Sequence, residues 1–121
     1  MVTTGWRLSV LAGAMLVGVA VLPPGGSAAS FNCDAATTPD EVAICANRDI
    51  NDDDVEMATL YAMLLQLQPM GNAGAMHDEQ KLWLAARQAC DADLDCLRHA
   101  YDARISALKS AFQRIVARGP F

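Results

Sequence analysis

The chain has 121 residues, with nine Lys and Arg against fourteen Asp and Glu and a formal charge of −5. That length suits one small domain with a modest core. The acidic balance speaks against nucleic acid or anionic lipid as a partner.

The first element is an export signal. Arg7 and the amino terminus carry positive charge, and Leu8 to Leu22 is an uncharged apolar run of 15 residues. Such a run is shorter than the roughly 20 residues a spanning helix requires. Pro23-Pro24-Gly25-Gly26 breaks it, and Ser27-Ala28-Ala29 supplies small residues for a cut. The pattern is that of a cleaved secretory signal over residues 1–29. The domain expected after cleavage, 30–121, loses only Arg7 among its charges. It keeps fourteen acids against eight bases, a formal charge of −6. The expected location is the periplasm or the exterior, with no membrane attachment after cleavage.

The exported part reads as helices throughout. Thr38-Pro39-Asp40-Glu41 offers a cap, a proline suited to the first helical position and a glutamate placed for a capping box. This short leading helix runs to about Ala46. Asn47 is placed to cap a second helix, with Asp49 and Asp52 near its first turn. Ile50, Met57, Leu60, Tyr61, Leu64 and Leu65 then recur at helical spacing. Pro69-Met70-Gly71-Asn72-Ala73-Gly74 reads as a break. A third helix starts near His77 and carries Leu82, Trp83, Ala86 and Ala89. Asp93 caps a fourth, on which Leu94, Leu97, Tyr101, Ile105, Leu108, Phe112 and Ile115 form the clearest apolar stripe. Gly119-Pro120 ends it. The expected fold is all-α: a small disulfide-stapled bundle of one short leading helix plus three longer helices.

Four cysteines fall on this frame in two local pairs. Cys90 ends the third helix and Cys96 opens the fourth, so a bond between them pins a hairpin corner. An extended stretch from Cys33 to Thr38, reaching roughly 16 Å, can run back along the short helix, which rises about 12 Å. That brings Cys33 to Cys45. Of three possible connectivities, the local one closes loops of 13 and 7 residues, and shorter loops close more readily. An exported domain meets oxidising conditions, so staples are favoured over thiol chemistry. A zinc site on Cys90, Cys96 and His99 fits no common finger spacing. A catalytic thiol needs a spare cysteine, and the two pairs leave none. No cofactor or metal is expected. Asn51 to Asp54 lacks the alternating carboxylates and glycine of a calcium loop.

The residues Ser30-Phe31-Asn32-Cys33 and Thr38-Pro39-Asp40-Glu41-Val42-Ala43-Ile44-Cys45 resemble the opening of the lysozyme inhibitor LprI domain family, long catalogued as a domain of unknown function. The resemblance continues through Ile50, Asp54, Glu56 and Tyr61. It returns at Gln80-Lys81-Leu82-Trp83-Leu84, Arg87, Cys90, Cys96-Leu97 and Tyr101-Asp102-Ala103-Arg104-Ile105, and so covers Phe31 to about Leu108. Asp53 stands where the family usually has an apolar residue, and Arg48 where it often has proline. The stretch 109–121 lies beyond the resemblance.

The resemblance implies an exported, helical, disulfide-bonded protein that binds and inhibits lysozyme by protein–protein contact. An enzyme is not expected, since glycoside hydrolysis needs two carboxylates across a cleft and nothing in a small four-helix chain indicates one. A basic lysozyme or related glycosidase suits an acidic domain. Two acidic clusters are candidate contacts: Asp52, Asp53 and Asp54, and Asp91, Asp93 and Asp95. The bland reading makes them helix-start residues and solvated charge. The alternative function is a structural or interaction module of the bacterial cell envelope. Trp83 and Arg87, four apart, can stack as a cation–π pair, with Trp83 chiefly a core residue. Tyr61 and Tyr101 read as core, and His77 and His99 as surface.

Overall fold

The computed structural model describes residues 29–119. The expected signal segment, apart from Ala29, lies outside them. Among the described residues the chain is all-helical. A 3-10 turn over Cys33–Ala35 precedes α1 (Pro39–Ala46), α2 (Arg48–Leu67), α3 (Met70–Gln88) and α4 (Leu94–Arg118).

The leading segment turns where an extended path was expected. The Asn32 side chain accepts from the Asp34 N–H at 3.0 Å and winds Cys33–Ala35 into the 3-10 turn. Cys33 still reaches Cys45, with Cα atoms 5.8 Å apart. Helix α1 begins at Pro39, but Thr38 makes no side-chain cap bond. Glu41 Oε2 instead accepts from the Thr37 N–H at 3.4 Å. Asn47 stands between α1 and α2, and its side chain donates back to the Ala43 carbonyl at 2.7 Å rather than capping α2.

The expected break before the third helix is confined to Gln68 and Pro69. Helix α3 starts at Met70, not near His77, because Pro69 takes the N-cap position and its carbonyl accepts from the Asn72 and Ala73 N–H groups. Gly71 and Gly74 continue the helix with no neighbour within 4 Å of an added Cβ. Glycine in a helix costs about 1 kcal/mol relative to alanine, which the rest of the helix absorbs. At the other end α3 stops at Gln88, so Cys90 lies just past it, in the turn. Asp91 there takes a positive φ of 50°. Asp93 caps α4 as expected, accepting from the Asp95 and Cys96 N–H groups at 3.0 Å each. Cys90 and Cys96 bond across this corner, their Cα atoms 5.6 Å apart. Both staples have ordinary disulfide spacing and belong in an oxidising compartment.

Short connections set α3 antiparallel to both α2 and α4, so α2 and α4 run parallel to each other. Helices α2 and α3 each pack chiefly on α4, and α1 lies across one end against both. Ile44, Ile50, Met57, Leu64, Leu97, Tyr101 and Leu108 form the core. Leu82, one of the apolar residues that α3 carries, is 73% exposed. The buried stripe of α3 is instead Met76, Gln80, Arg87 and, just past the helix, Cys90, with Trp83 packed against the core. Phe112 and Leu84 are partly exposed. No helix is long and apolar enough to cross a membrane among the described residues.

Candidate functional site

Three arrangements stand out: a buried charge network, a groove above it, and an acidic face on the opposite side of α2.

The network joins all four helices. Asp40, in the first turn of α1, and Asp54, on α2, are both 0% exposed. Arg87, at the end of α3 and 7% exposed, lies between them. Its Nε donates to Asp40 Oδ2 at 3.0 Å and its Nη1 to the Tyr101 hydroxyl at 3.4 Å. Tyr101 in turn donates to Asp54 Oδ1 at 2.8 Å, and Arg87 Nη1 is 3.8 Å from that same oxygen. Asp54 Oδ2 accepts from the backbone nitrogen of Ser30 at 2.6 Å. The guanidinium also lies over two aromatic rings, 5.7 Å from the centre of Phe31 and 5.8 Å from that of Trp83. The expected Trp83–Arg87 stack is therefore present. Trp83 donates its indole N–H to the Ala100 carbonyl at 3.0 Å and meets Tyr101 edge-on, with ring centres 5.2 Å apart.

Charge state follows from this setting. Burial, and then the neighbouring Asp54, push the Tyr101 hydroxyl well above its ordinary pKa, so it stays a neutral donor. Burial opposes the charge on Arg87, but Tyr101, Asp40 and Asp54 outweigh it and the net shift is upward. A buried, hydrogen-bonded ionic cluster specifies geometry more surely than it adds stability.

Sequence reasoning placed Asp54 in an acidic contact surface. It is a core group instead, and a side chain with no exposed area cannot touch a partner of the folded domain. Asp40 was read only as a helix-start residue. The signal that locates Asp54 is its spacing: it stands four residues after Ile50 and three before Met57, on the apolar face of α2.

The groove opens between α2 and α3, which diverge over α4. It encloses about 420 Å³, and Phe31, Met57, Ala58 and Leu84 give it an apolar wall. Asp54 and Arg87 lie at its floor. Tyr61 and His77 bridge its two sides with a hydrogen bond of 2.6 Å between the hydroxyl and Nδ1. Tyr61 is thus half-buried and polar-bonded rather than a plain core residue, while His77 is exposed as expected. His99 is exposed and bonds the Asp95 carbonyl, one turn back on its own helix.

The remaining acidic candidates lie on the surface. Asp52, Asp91, Asp93 and Asp95 are exposed and Asp53 is half-buried. Arg98 of α4 ties Asp95 of the second cluster to Asp49, which precedes the first cluster on α2, with Nε 2.8 Å from Asp49 Oδ2 and Nη1 3.4 Å from Asp95 Oδ1. Its hydrogen bond holds the Asp49 carboxyl below its ordinary pKa. Farther along, Asp53 and Glu56 of α2 share a groove between α2 and α4 with Asp102 of α4. Burial, and then Asp102, Glu56, Asp49 and Asp52, push the Asp53 carboxyl above its ordinary pKa. Lys109 pairs with Glu56 at 2.6 Å and Arg48 approaches Asp52 at 3.9 Å. No cluster of potential metal ligands occurs among the described residues.

No family model, curated protein or solved structure matches the chain.

Proposed function

We propose that this chain is an exported binding protein that inhibits a basic, lysozyme-type cell-wall glycosidase by docking its α2–α4 acidic face on the enzyme. The observation that carries the reading is the Arg98 fork. It holds the start of α2 beside the start of α4, so Asp49, Asp52 and Asp53 share one surface with Asp95 and Asp102. Arg48, Arg98 and Lys109 offset only part of that charge. A cationic surface would be steered toward such a face. The staples and the buried network preorganise the scaffold, which limits the ordering cost of binding. The resemblance to the lysozyme inhibitor LprI domain family favours this occupant over other basic proteins.

The test is cell-wall lysis by a panel of lysozymes with the oxidised domain added. The expected result is inhibition at micromolar domain that weakens as salt rises from 50 to 200 mM, since exposed charges are screened. Charge reversal at Asp52 and Asp95 together should slow association. Failure to inhibit any lysozyme well above micromolar concentration refutes the reading.

The α2–α3 groove favours a second reading, an interaction module of the cell envelope that takes an apolar group of some other partner. Leu84→Glu would then abolish binding while reversal of the acidic face would not.

A further inference from the structure

The buried network is short of one positive charge. Asp40 and Asp54 are both wholly buried, and a single guanidinium, Arg87, serves the two. Tyr101 contributes a neutral hydroxyl. The other buried arginine of the described residues, Arg104, is engaged elsewhere, with Gln80 at 3.0 Å and Glu79 at 3.6 Å. An uncompensated carboxylate in a low-dielectric interior is strongly disfavoured.

The remaining ligand of Asp54 is the backbone nitrogen of Ser30, 2.6 Å from Oδ2. Ser30 directly follows Ser27-Ala28-Ala29, the small residues of the expected signal cut. Hydrolysis of the Ala29–Ser30 peptide bond consumes one water and leaves a carboxylate on Ala29 and an α-amine on Ser30. That amine takes up a proton and is largely an ammonium at neutral pH. We propose that signal removal at Ala29–Ser30 converts the Ser30 nitrogen from an amide donor into the ammonium that pairs with buried Asp54, so that export processing completes the charge balance of the core. The proposal rests on the export reading and is independent of what the domain inhibits.

The new terminus would be held in place from both sides. Phe31 lies against the Arg87 guanidinium, and Cys33, three residues on, is stapled to Cys45. Ser30 is exposed, so its ammonium keeps water on its outer side while it reaches inward. Register is strict: each added residue moves the ammonium by up to about 3.5 Å, beyond pairing distance. Glu41, the other carboxylate lining this groove, already accepts from the Thr37 N–H.

The experiment exports the full chain into a bacterial periplasm and identifies the mature terminus by intact mass. A start at Ser30 is expected, and a start at any other residue overturns the proposal. A second chain carries Gly-Ser inserted between Ala29 and Ser30, and both chains are also made as Asp54→Asn. Urea unfolding at pH 7 then compares the four. The insertion should raise the unfolding constant about 10- to 100-fold with Asp54 present, and less than threefold with Asp54→Asn, which has no charge to balance. An insertion without effect, or with equal effect in both backgrounds, overturns the proposal. Should Asp54→Asn fail to fold, pulse acylation of the α-amine in the native protein decides. At least tenfold slower labelling than in urea supports the pairing, and equal rates overturn it. Because no arm involves a lysozyme, failure of the inhibitor reading is scored separately.

Discussion

Replacing Arg87 by Met would remove the one cation that stands between two buried carboxylates. Methionine roughly preserves the length of the stem but not the guanidinium beside the Phe31 and Trp83 rings, so the ion pairs and both cation–π contacts are lost together. Asp40 would lose its 3.0 Å partner, and its other oxygen already has none among the described residues. Tyr101 would lose the donor that orients its hydroxyl toward Asp54. Breaking a buried pair by removing one partner costs about 3–5 kcal/mol. A domain of this size has a total stability of roughly 5–14 kcal/mol, so the variant is left marginal. With a urea slope of about 2 kcal/mol per molar, the midpoint should fall by about 2 M. Equilibrium urea unfolding of the oxidised domain, followed by far-UV circular dichroism, measures this. The double variant Asp40→Asn, Arg87→Met should be less destabilised than the sum of the two single variants, because the amide leaves no charge behind. A midpoint shift under 0.5 M for Arg87→Met, or strict additivity in the double variant, refutes the network as a coupled unit.

Other expectations concern single groups. Tyr101→Phe keeps the ring against Trp83 but removes the link between Arg87 and Asp54, and should cost about 1.5–3 kcal/mol in the same urea assay. Asp53 has a folded-state pKa above its unfolded one, so the folded state binds its proton more tightly and the carboxylate becomes a liability as pH rises through that value. Asp53→Asn should therefore stabilise the domain at pH 7 by about 0.5 kcal/mol, a modest figure for a partly solvated group, and by nothing at pH 3. A gain equal at both pH values would contradict this. Replacing both cysteines of the Cys90–Cys96 staple by serine should cost about 2 kcal/mol, and the Cys33–Cys45 staple about 3 kcal/mol, read as shifts in unfolding midpoint.

What was legible in the sequence was local. Pro39 marks the start of α1 and Asp93 the start of α4, and the apolar stripe of α4 is buried from Leu97 to Leu108 and again at Ile115, with Phe112 left partly exposed. The cysteine pairs followed from loop length and helix placement. The start of α3 was misread because Pro69, Gly71 and Gly74 resemble a loop, although proline favours helix starts and two glycines cost too little to end a helix. Hydrophobicity alone does not mark the buried stripe of α3, which leaves Leu82 exposed and includes the polar Gln80 and Arg87. The buried network was hidden for a related reason. Asp40 and Arg87 are 47 positions apart, and no local pattern announces that a charged residue will be matched across that distance. Asp54 was grouped with Asp52 and Asp53 by adjacency, although helical geometry turns neighbouring side chains about 100° apart.

The constraints on this bundle are unevenly distributed along its length. Both disulfides, the four-helix ion network and the Arg98 fork gather at the end formed by α1, the start of α2 and the α3–α4 corner. The opposite end holds Leu64, Met76 and Ile115 chiefly by apolar contact, with no disulfide among the described residues there, Met63, Leu67 and Val116 open to water and Gly71 and Gly74 in the first turns of α3. Cooperative opening should therefore begin at that end. Backbone amides of Leu67 to Met76 should exchange with deuterium well before those around Tyr101, whose release requires the whole domain to unfold. In an oxidising compartment that holds proteases, the first cut in the folded domain would then fall near Pro69, leaving the stapled end intact and still linked to α4.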